Sequence, residues 1–395
     1  MADNQPRDFD VVLGGEAAPP VTGMILGGIE GVKTRLSSSS VDVRVAALST
    51  ALNYGDAGLD LIIEALDDSS PDVQNFAVKL LKEQAGIVGK QVLLEYNPWL
   101  FFTKLENWKF KNFNSQTKSF SEIGIAYEVN LEQLKLLLQH PQANQIEALV
   151  CNIYHNDYPR KISNEFYEFV DTLFNASKIL TNLKALFLGD IQKHKEKKSV
   201  TGLGDISRLL EAYPKLEVLN ISGYCEHLEC HVKGHENLKT FIIETANISD
   251  LAINQICSLN LPALEYFELW MGSNHELSAT IKSLKPVFFG ESFPNLNYLG
   301  LCNNIHADEI ASAIHQSSFM ADYPIIDNLA ILDLSKGHLT DYGLETLLEC
   351  PAISSLYCLR VRSNYLSEEL IKKIEDLSLI DGHFDPGSRY WALYE

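Results

Sequence analysis

The group of residues best suited by type to chemistry is Cys225-Glu226-His227-Leu228-Glu229-Cys230-His231, with His235 close by. Thiolate and imidazole are zinc ligands, but structural zinc sites usually draw them from convergent CxxC or HxxxH pairs, and that spacing is absent. The segment is therefore expected to supply strand and loop residues. Gly86-Ile87-Val88-Gly89-Lys90-Gln91 imitates the end of a phosphate-binding loop, yet it lacks the first glycine at the required distance and the final Ser or Thr. It reads as a helix stop. Val12 to Gly15 (VLGG), echoed by Ile25 to Gly28, lacks GxGxxG spacing and reads as a turn or helix start. His235-Glu236 and His275-Glu276 begin like HExxH without a second histidine, and no GxSxG elbow occurs. Lys193-His194-Lys195-Glu196-Lys197-Lys198 is a basic run of the kind a solvated loop carries. No nucleophile can be paired with a base, so the expectation is a protein that is not an enzyme, with no catalytic residue, metal or cofactor.

The bulk numbers narrow the partners. Hydrophobic residues make up 46% of 395, enough for a core, and the length calls for several domains or a repeat array. A formal charge of −20, from 52 acidic and 32 basic residues, repels phosphate backbones and anionic membrane surfaces. Protein is thus the expected partner, with neither nucleic acid nor membrane. Met1 to Gln5 lacks the charged and apolar regions of a signal peptide, and no apolar run reaches the roughly 18 residues of a membrane span. The expectation is cytoplasmic. Seven cysteines scattered from Cys151 to Cys358 do not form a disulfide pattern, so reduced thiols packed as small hydrophobes are expected.

The elements that would position these residues are repeats of two kinds. After a flexible lead-in, 1–22, the segment Ser40 to Leu48 (SVDVRVAAL) is echoed by Ser70 to Val78 (SPDVQNFAV), offset by 30 residues, with an amphipathic stretch Gly58 to Leu66 between them. Helix, turn and helix at a fixed period is the pattern of an α-solenoid, in which each pair buries its apolar stripe against its neighbour. Pro71 suits a helix start, where its missing N–H is harmless. Residues 23–90 are read as this helical array. Residues 91–130 turn aromatic and β-prone, with Trp99, Phe101, Phe102, Trp108, Phe110 and Phe113, and are read as a cap on a second stack. Interleaving with Lys104, Lys109 and Lys111 could also stack single-stranded nucleic acid, but sealing a repeat end is the expected role.

From 131 to 395 the motif LxxLxL recurs: Ile146-Leu149-Cys151, Leu183-Leu186-Leu188, Leu216-Leu219-Ile221, Leu238-Phe241-Ile243, Leu264-Phe267-Leu269, Leu296-Leu299-Leu301, Leu329-Leu332-Leu334 and Leu356-Leu359-Val361. Intervals of 22 to 37 residues leave room for a helix between strands. Helices are expected over 165–177, 205–212, 250–258, 308–317, 341–349 and 368–376, with Ser249, Thr340 and Ser367 as N-caps. The expected fold is an α/β repeat solenoid: a leucine-rich-repeat horseshoe with an N-terminal all-α array.

Two resemblances follow. Asp42 to Leu48, and loosely the stretch from Asp72, resembles HEAT repeats in the short form common in cyanobacterial proteins. Leu264 to Trp270, Phe293 to Leu301, Leu332 to Asp341 and Asn364 to Glu369, with the ending Arg389 to Glu395, resemble a bacterial family of stand-alone leucine-rich-repeat proteins from about residue 99 onward. That resemblance implies a fold and no reaction. The helical front end departs from the family pattern and suggests a second docking surface. Short HEAT arrays also occur in bilin lyases of phycobiliproteins, which implies an alternative, an accessory factor for protein modification. The leading reading is a non-enzymatic scaffold or adaptor.

Because side chains alternate along a strand, the motif also maps the face opposite the leucines. Its rows read Ala185, Val218, Thr240, Tyr266, Tyr298, Ile331, Cys358; then Phe187, Asn220, Ile242, Glu268, Gly300, Asp333, Arg360; then Gly189, Ser222, Glu244, Trp270, Cys302, Ser335, Arg362. Phe187, Glu244, Tyr266, Glu268, Trp270, Tyr298, Asp333, Arg360 and Arg362 are the candidate partner-binding residues, since aromatic and arginine side chains anchor interfaces. Either a partner covers this row or the chain's own cap or helical segment does. On the first alternative Trp270→Ala harms binding and spares folding, whereas Leu269→Ala harms folding.

Overall fold

The computed structural model describes residues 28–114, 119–120, 122, 124–153, 164–189, 202–245, 247–272 and 277–376. The Val12 to Gly15 glycine pair, Lys193 to Lys198, His275-Glu276 and Arg389 to Glu395 lie outside them. The chain divides into two compact units, 1–93 and 94–395.

The first unit is helical among its described residues: α1 (Gly28–Leu36), α2 (Val41–Ala51), α3 (Gly55–Glu64), α4 (Pro71–Glu83) and α5 (Gly86–Tyr96), whose last residues cross the boundary. Gly86 to Gln91 is corrected here. α4 ends at Glu83, and Gly86, at φ +64, is the first residue of α5, so the segment starts a helix rather than stopping one or cradling a phosphate. Of the echoed apolar pairs Ala47 and Ala77 are both buried, whereas Leu48 and Val73 are buried but their counterparts Val78 and Val43 are half-buried and exposed; Leu61 and Ile62 of α3 are buried as well. Arg44 ties the two echoes together, donating to Asp68 Oδ1 at 2.9 Å and to the Ser38 carbonyl at 2.8 Å. Burial raises the Asp68 carboxyl, but the Ser70 N–H and the Arg44 guanidinium outweigh it and hold it below its usual value.

The second unit begins with a single helical turn, α6 (Pro98–Phe101), and then builds one sheet. Its strands are β1 (Lys109–Asn112), β2 (Ile125–Val129), β3 (Ala148–Asn152), β4 (Ala185–Gly189), β5 (Val218–Ser222), β6 (Thr240–Glu244), β7 (Tyr266–Gly272), β8 (Tyr298–Asn304), β9 (Ile331–Asp333) and β10 (Cys358–Arg360). They pair in sequence order, each parallel to the next. Each LxxLxL motif supplies one strand, and the residues mapped to one row are register partners: Thr240, Tyr266, Tyr298 and Ile331 align, as do Glu268, Gly300 and Asp333. The stretch expected as a cap adds β1 and β2 to the same sheet, a role its mixed aromatic composition does not announce.

Crossover helices fill intervals between strands, α7 (Leu131–Leu137), α8 (Asn164–Asn175), α9 (Ser207–Ala212), α10 (Asp250–Cys257), α11 (Leu277–Phe288), α12 (Ala307–Met320) and α13 (Asp341–Leu348), and α14 (Glu368–Asp376) follows β10. They pack on the leucine side, where Leu186, Leu219, Phe241, Phe267, Leu299, Leu332 and Leu359 join Phe166, Ile253, Ile310 and Leu344 in one apolar core. Ser249 caps α10 through its hydroxyl, which accepts from Ala252 N–H, and Ser367 accepts from Leu370 N–H. Thr340 precedes α13, but its hydroxyl donates to Asp308 instead of capping. Asn364 closes the last turns: its amide donates to the Leu334 and Val361 carbonyls, and its oxygen accepts from Gly337 and Leu339 N–H, each at 2.9–3.0 Å. Among the described residues no helix is long and apolar enough to cross a membrane.

Candidate functional site: the open face of the sheet

Opposite the helices lies the face mapped from the motif, and its outward phase is as the alternation requires. Its exposure is not. Tyr266, Glu268, Trp270, Tyr298 and Asp333 are each no more than 2% exposed, and Phe187, Glu244 and Arg360 are buried as well; of the nine candidates only Arg362 is exposed. As free partner-binding anchors, these eight residues are therefore corrected.

The cover is the chain's own segment from Asn97 to Trp108. Asn97 accepts the Trp99 N–H and starts α6, which places Trp99 and Phe102 over β7 and β8. Phe102 meets Tyr266 edge-on at 5.2 Å and Tyr298 at 5.9 Å, while Trp99 meets Tyr298 at 6.0 Å. Beneath them the two tyrosines stack with centroids 3.8 Å apart. The Lys104 ammonium sits 4.7 Å from the Trp99 ring and 4.5 Å from the Tyr266 ring, an attraction between cation and π-face. Thr240 of β6 donates to the Thr103 carbonyl. Further on, Leu105 and Trp108 pack against Ala126, Ala148, Val150, Ala185, Phe187 and Val218 of β2 to β5. One strap thus crosses the sheet from β8 to β1.

Under the strap the polar groups are paired by design of the row. Glu268 accepts the Tyr266 hydroxyl at 2.6 Å and the Trp270 indole N–H at 2.7 Å. Asp333 accepts the Tyr298 hydroxyl and the Arg360 guanidinium, both at 2.8 Å, on Oδ2, and the Ser335 N–H on Oδ1. Burial and then the Asp333 charge hold the Tyr298 phenol well above its usual value. Burial would lower Arg360, but Asp333 together with Tyr298, Cys302 and Tyr266 outweighs it and raises it. Gly300 makes room between the carboxylates: a Cβ there would lie 2.9 Å from Glu268 Cγ and 3.0 Å from the Tyr298 ring. The Lys336 ammonium lies 5.2 Å from the Trp270 ring. The motif missed Trp99, Phe102, Thr103, Lys104 and Lys336. The signal that could have found the strap is the run Trp99-Leu100-Phe101-Phe102, too apolar for a solvated linker.

The other chemical candidates disperse. Cys225 and Cys230 are buried, and burial pushes both thiols up to about 12, as it does Cys257. His235 Nε2 bonds to the Tyr213 carbonyl at 3.0 Å, and exposed His231 meets Glu229 at 2.9 Å. Among the described residues no three His, Cys, Asp or Glu gather as metal ligands. A cleft of about 360 Å3 beside Glu122, Tyr127 and Glu147, and another of about 380 Å3 beside Lys178, Tyr213 and Lys215, lie away from the aromatic row.

The sequence matches no described protein family and no curated protein. A protein from Bacteroides fragilis is similar in structure: TM-score 0.54, 24% identity, covering 67% of this chain and 73% of that chain. An internalin from Listeria monocytogenes aligns over 86% of this chain and 93% of that chain, with 12% identity and a TM-score of 0.32. The first likeness bears on the fold alone.

Proposed function

We propose that this chain is a non-enzymatic adaptor that holds protein partners, and that it does so on surfaces other than the aromatic row. The sealed row carries the reading: Glu268, Asp333 and Arg360 are buried and paired inside the unit, so these ionisable groups serve the fold rather than a substrate. Successive helices meanwhile keep large apolar side chains in solvent, including Leu136, Tyr167, Leu251, Phe319, Met320 and Tyr342. Isolated apolar side chains are ordinary, but exposed aromatics recurring along a repeat array are the raw material of a binding surface.

The first unit is read as a short HEAT-type array of cyanobacterial kind, on the echo between α2 and α4, and supplies a second docking surface in a cytoplasmic protein. The same echo supports the alternative, an accessory factor for protein modification. Reconstitution of the full chain with a purified partner separates the two. The adaptor forms a complex of fixed stoichiometry in which neither mass changes, and Phe319→Asp or Tyr342→Asp weakens it by about tenfold or more without moving the melting temperature. A covalent mass change on the partner that depends on this chain would overturn it.

A further inference from the structure

The first edge of the sheet is open. β1 pairs with β2 alone, and all four of its residues are exposed. Lys109 N–H donates to Gly124 O at 2.8 Å and Phe113 N–H to Glu128 O at 3.1 Å, so the odd-numbered residues aim their backbone at β2. By the alternation of the ladder, the N–H and C=O of Phe110 and Asn112 point out of the sheet, and no hydrogen bond to them is found among the described residues. Such an edge is a template for one more strand.

The side chains select its occupant. Lys109 and Lys111 share one face, and Phe110, 57% exposed, takes the other. We propose that β1 accepts an extended acidic peptide segment as an added strand, with carboxylates opposite Lys109 and Lys111 and an apolar side chain opposite Phe110. This rests on the adaptor reading and names one of its docking surfaces. A second copy of the chain is the wrong occupant. Two-fold antiparallel pairing of Phe110 with Asn112 sets Lys111 against Lys111 of the other copy, and like charges directly opposite are destabilising, while Lys109 falls opposite Phe113 and gains no carboxylate. Lys111 is already held by Glu122 at 3.0 Å, so Lys109 supplies most of the selection. The chain's net charge of −20 opposes an acidic peptide only at long range, which physiological salt screens beyond about 8 Å.

The probes are three labelled octapeptides: alternating Glu and Val, alternating Lys and Val, and the Glu–Val peptide N-methylated on alternate residues to block strand pairing. Anisotropy with the full chain should show saturable binding of the first, about tenfold tighter than the second, and loss of binding with the third. Lys109→Glu should reverse the preference between acid and base. Asn112→Pro removes an outward N–H without touching the bonds to β2, and should abolish binding; if it disturbs the fold, Lys109→Glu, a surface change, still decides. Equal binding of the acidic and basic peptides, retained binding of the N-methylated one, or no saturable binding overturns the proposal. A chain that fails with these peptides and still forms its reconstituted complex loses the β1 assignment alone, whereas partner modification would fell the adaptor reading.

Discussion

From β3 to β10 the two faces of the sheet are both largely buried, and they are kept dry in different ways. On the leucine side the same positions repeat from strand to strand, Leu186, Leu219, Phe241, Phe267, Leu299, Leu332 and Leu359, and crossover helices bring the apolar cover. On the open side every strand contributes something different, and residues far away in sequence, Trp99 to Trp108, bring the cover. The contrast teaches that periodicity reports which way a side chain points and says nothing about what it meets there. It also sets different penalties: an error on the leucine side leaves a cavity, and an error on the open side leaves a buried charge without its partner.

That difference can be broken most forcefully at Asp333. Replacing it with Ala strips a partner from Arg360, whose side chain is 5% exposed, and from the Tyr298 hydroxyl. The expected loss is about 3–5 kcal/mol. The double change Asp333→Leu with Arg360→Met should lose less than Asp333→Ala, since a buried pair replaced by hydrocarbon is often near neutral. Denaturant titration of the three proteins checks both statements; a double variant as damaged as the single would mean that packing, not charge, holds this side. Next come Trp270→Ala and Leu269→Ala, adjacent residues on opposite faces. Each should destabilise by about 2–5 kcal/mol, where a free Trp270 would have spared folding. The smallest effect separates the sides by pH. His235, behind the leucine side, is held below the usual imidazole value by burial, with the Tyr213 carbonyl partly opposing. The native state then binds a proton less readily than the unfolded chain. Its contribution is complete above the ordinary value of 6.5 and is lost as pH falls through the lower folded value. His235→Gln should flatten that slope in melts between pH 7.5 and 5, while Arg360, which stays charged, leaves the open side unmoved.

The strands and most helices of the repeat stack were legible because one hydrocarbon position recurs in every repeat, and alternation then set the rows, down to the register of Tyr266 with Tyr298. Coverage was legible only as one of two alternatives, because the apolar run at Trp99 to Phe102 marks a segment to be buried and nothing local to Phe102 or Tyr266 marks their contact across the chain. α11 escaped notice where Pro286 interrupts an otherwise helical pattern. β1 escaped because Lys109 and Lys111 make an edge strand look like a loop, and Thr340 misled because Asp308 competes for its hydroxyl.

The strap also has a place in time. Thr103 precedes its partner Thr240 by 137 residues, and a chain synthesised at about 5–20 residues per second needs roughly 7–27 seconds to supply one after the other. Throughout that interval Trp99, Phe101 and Phe102 exist without β7 and β8, whose Tyr266 and Tyr298 Trp99 and Phe102 meet, and apolar surface of this kind is what chaperones shelter. Closing so long a loop before any contact rewards it is entropically slow. Docking of the strap on the aromatic row therefore waits for strands made at least 137 residues after it.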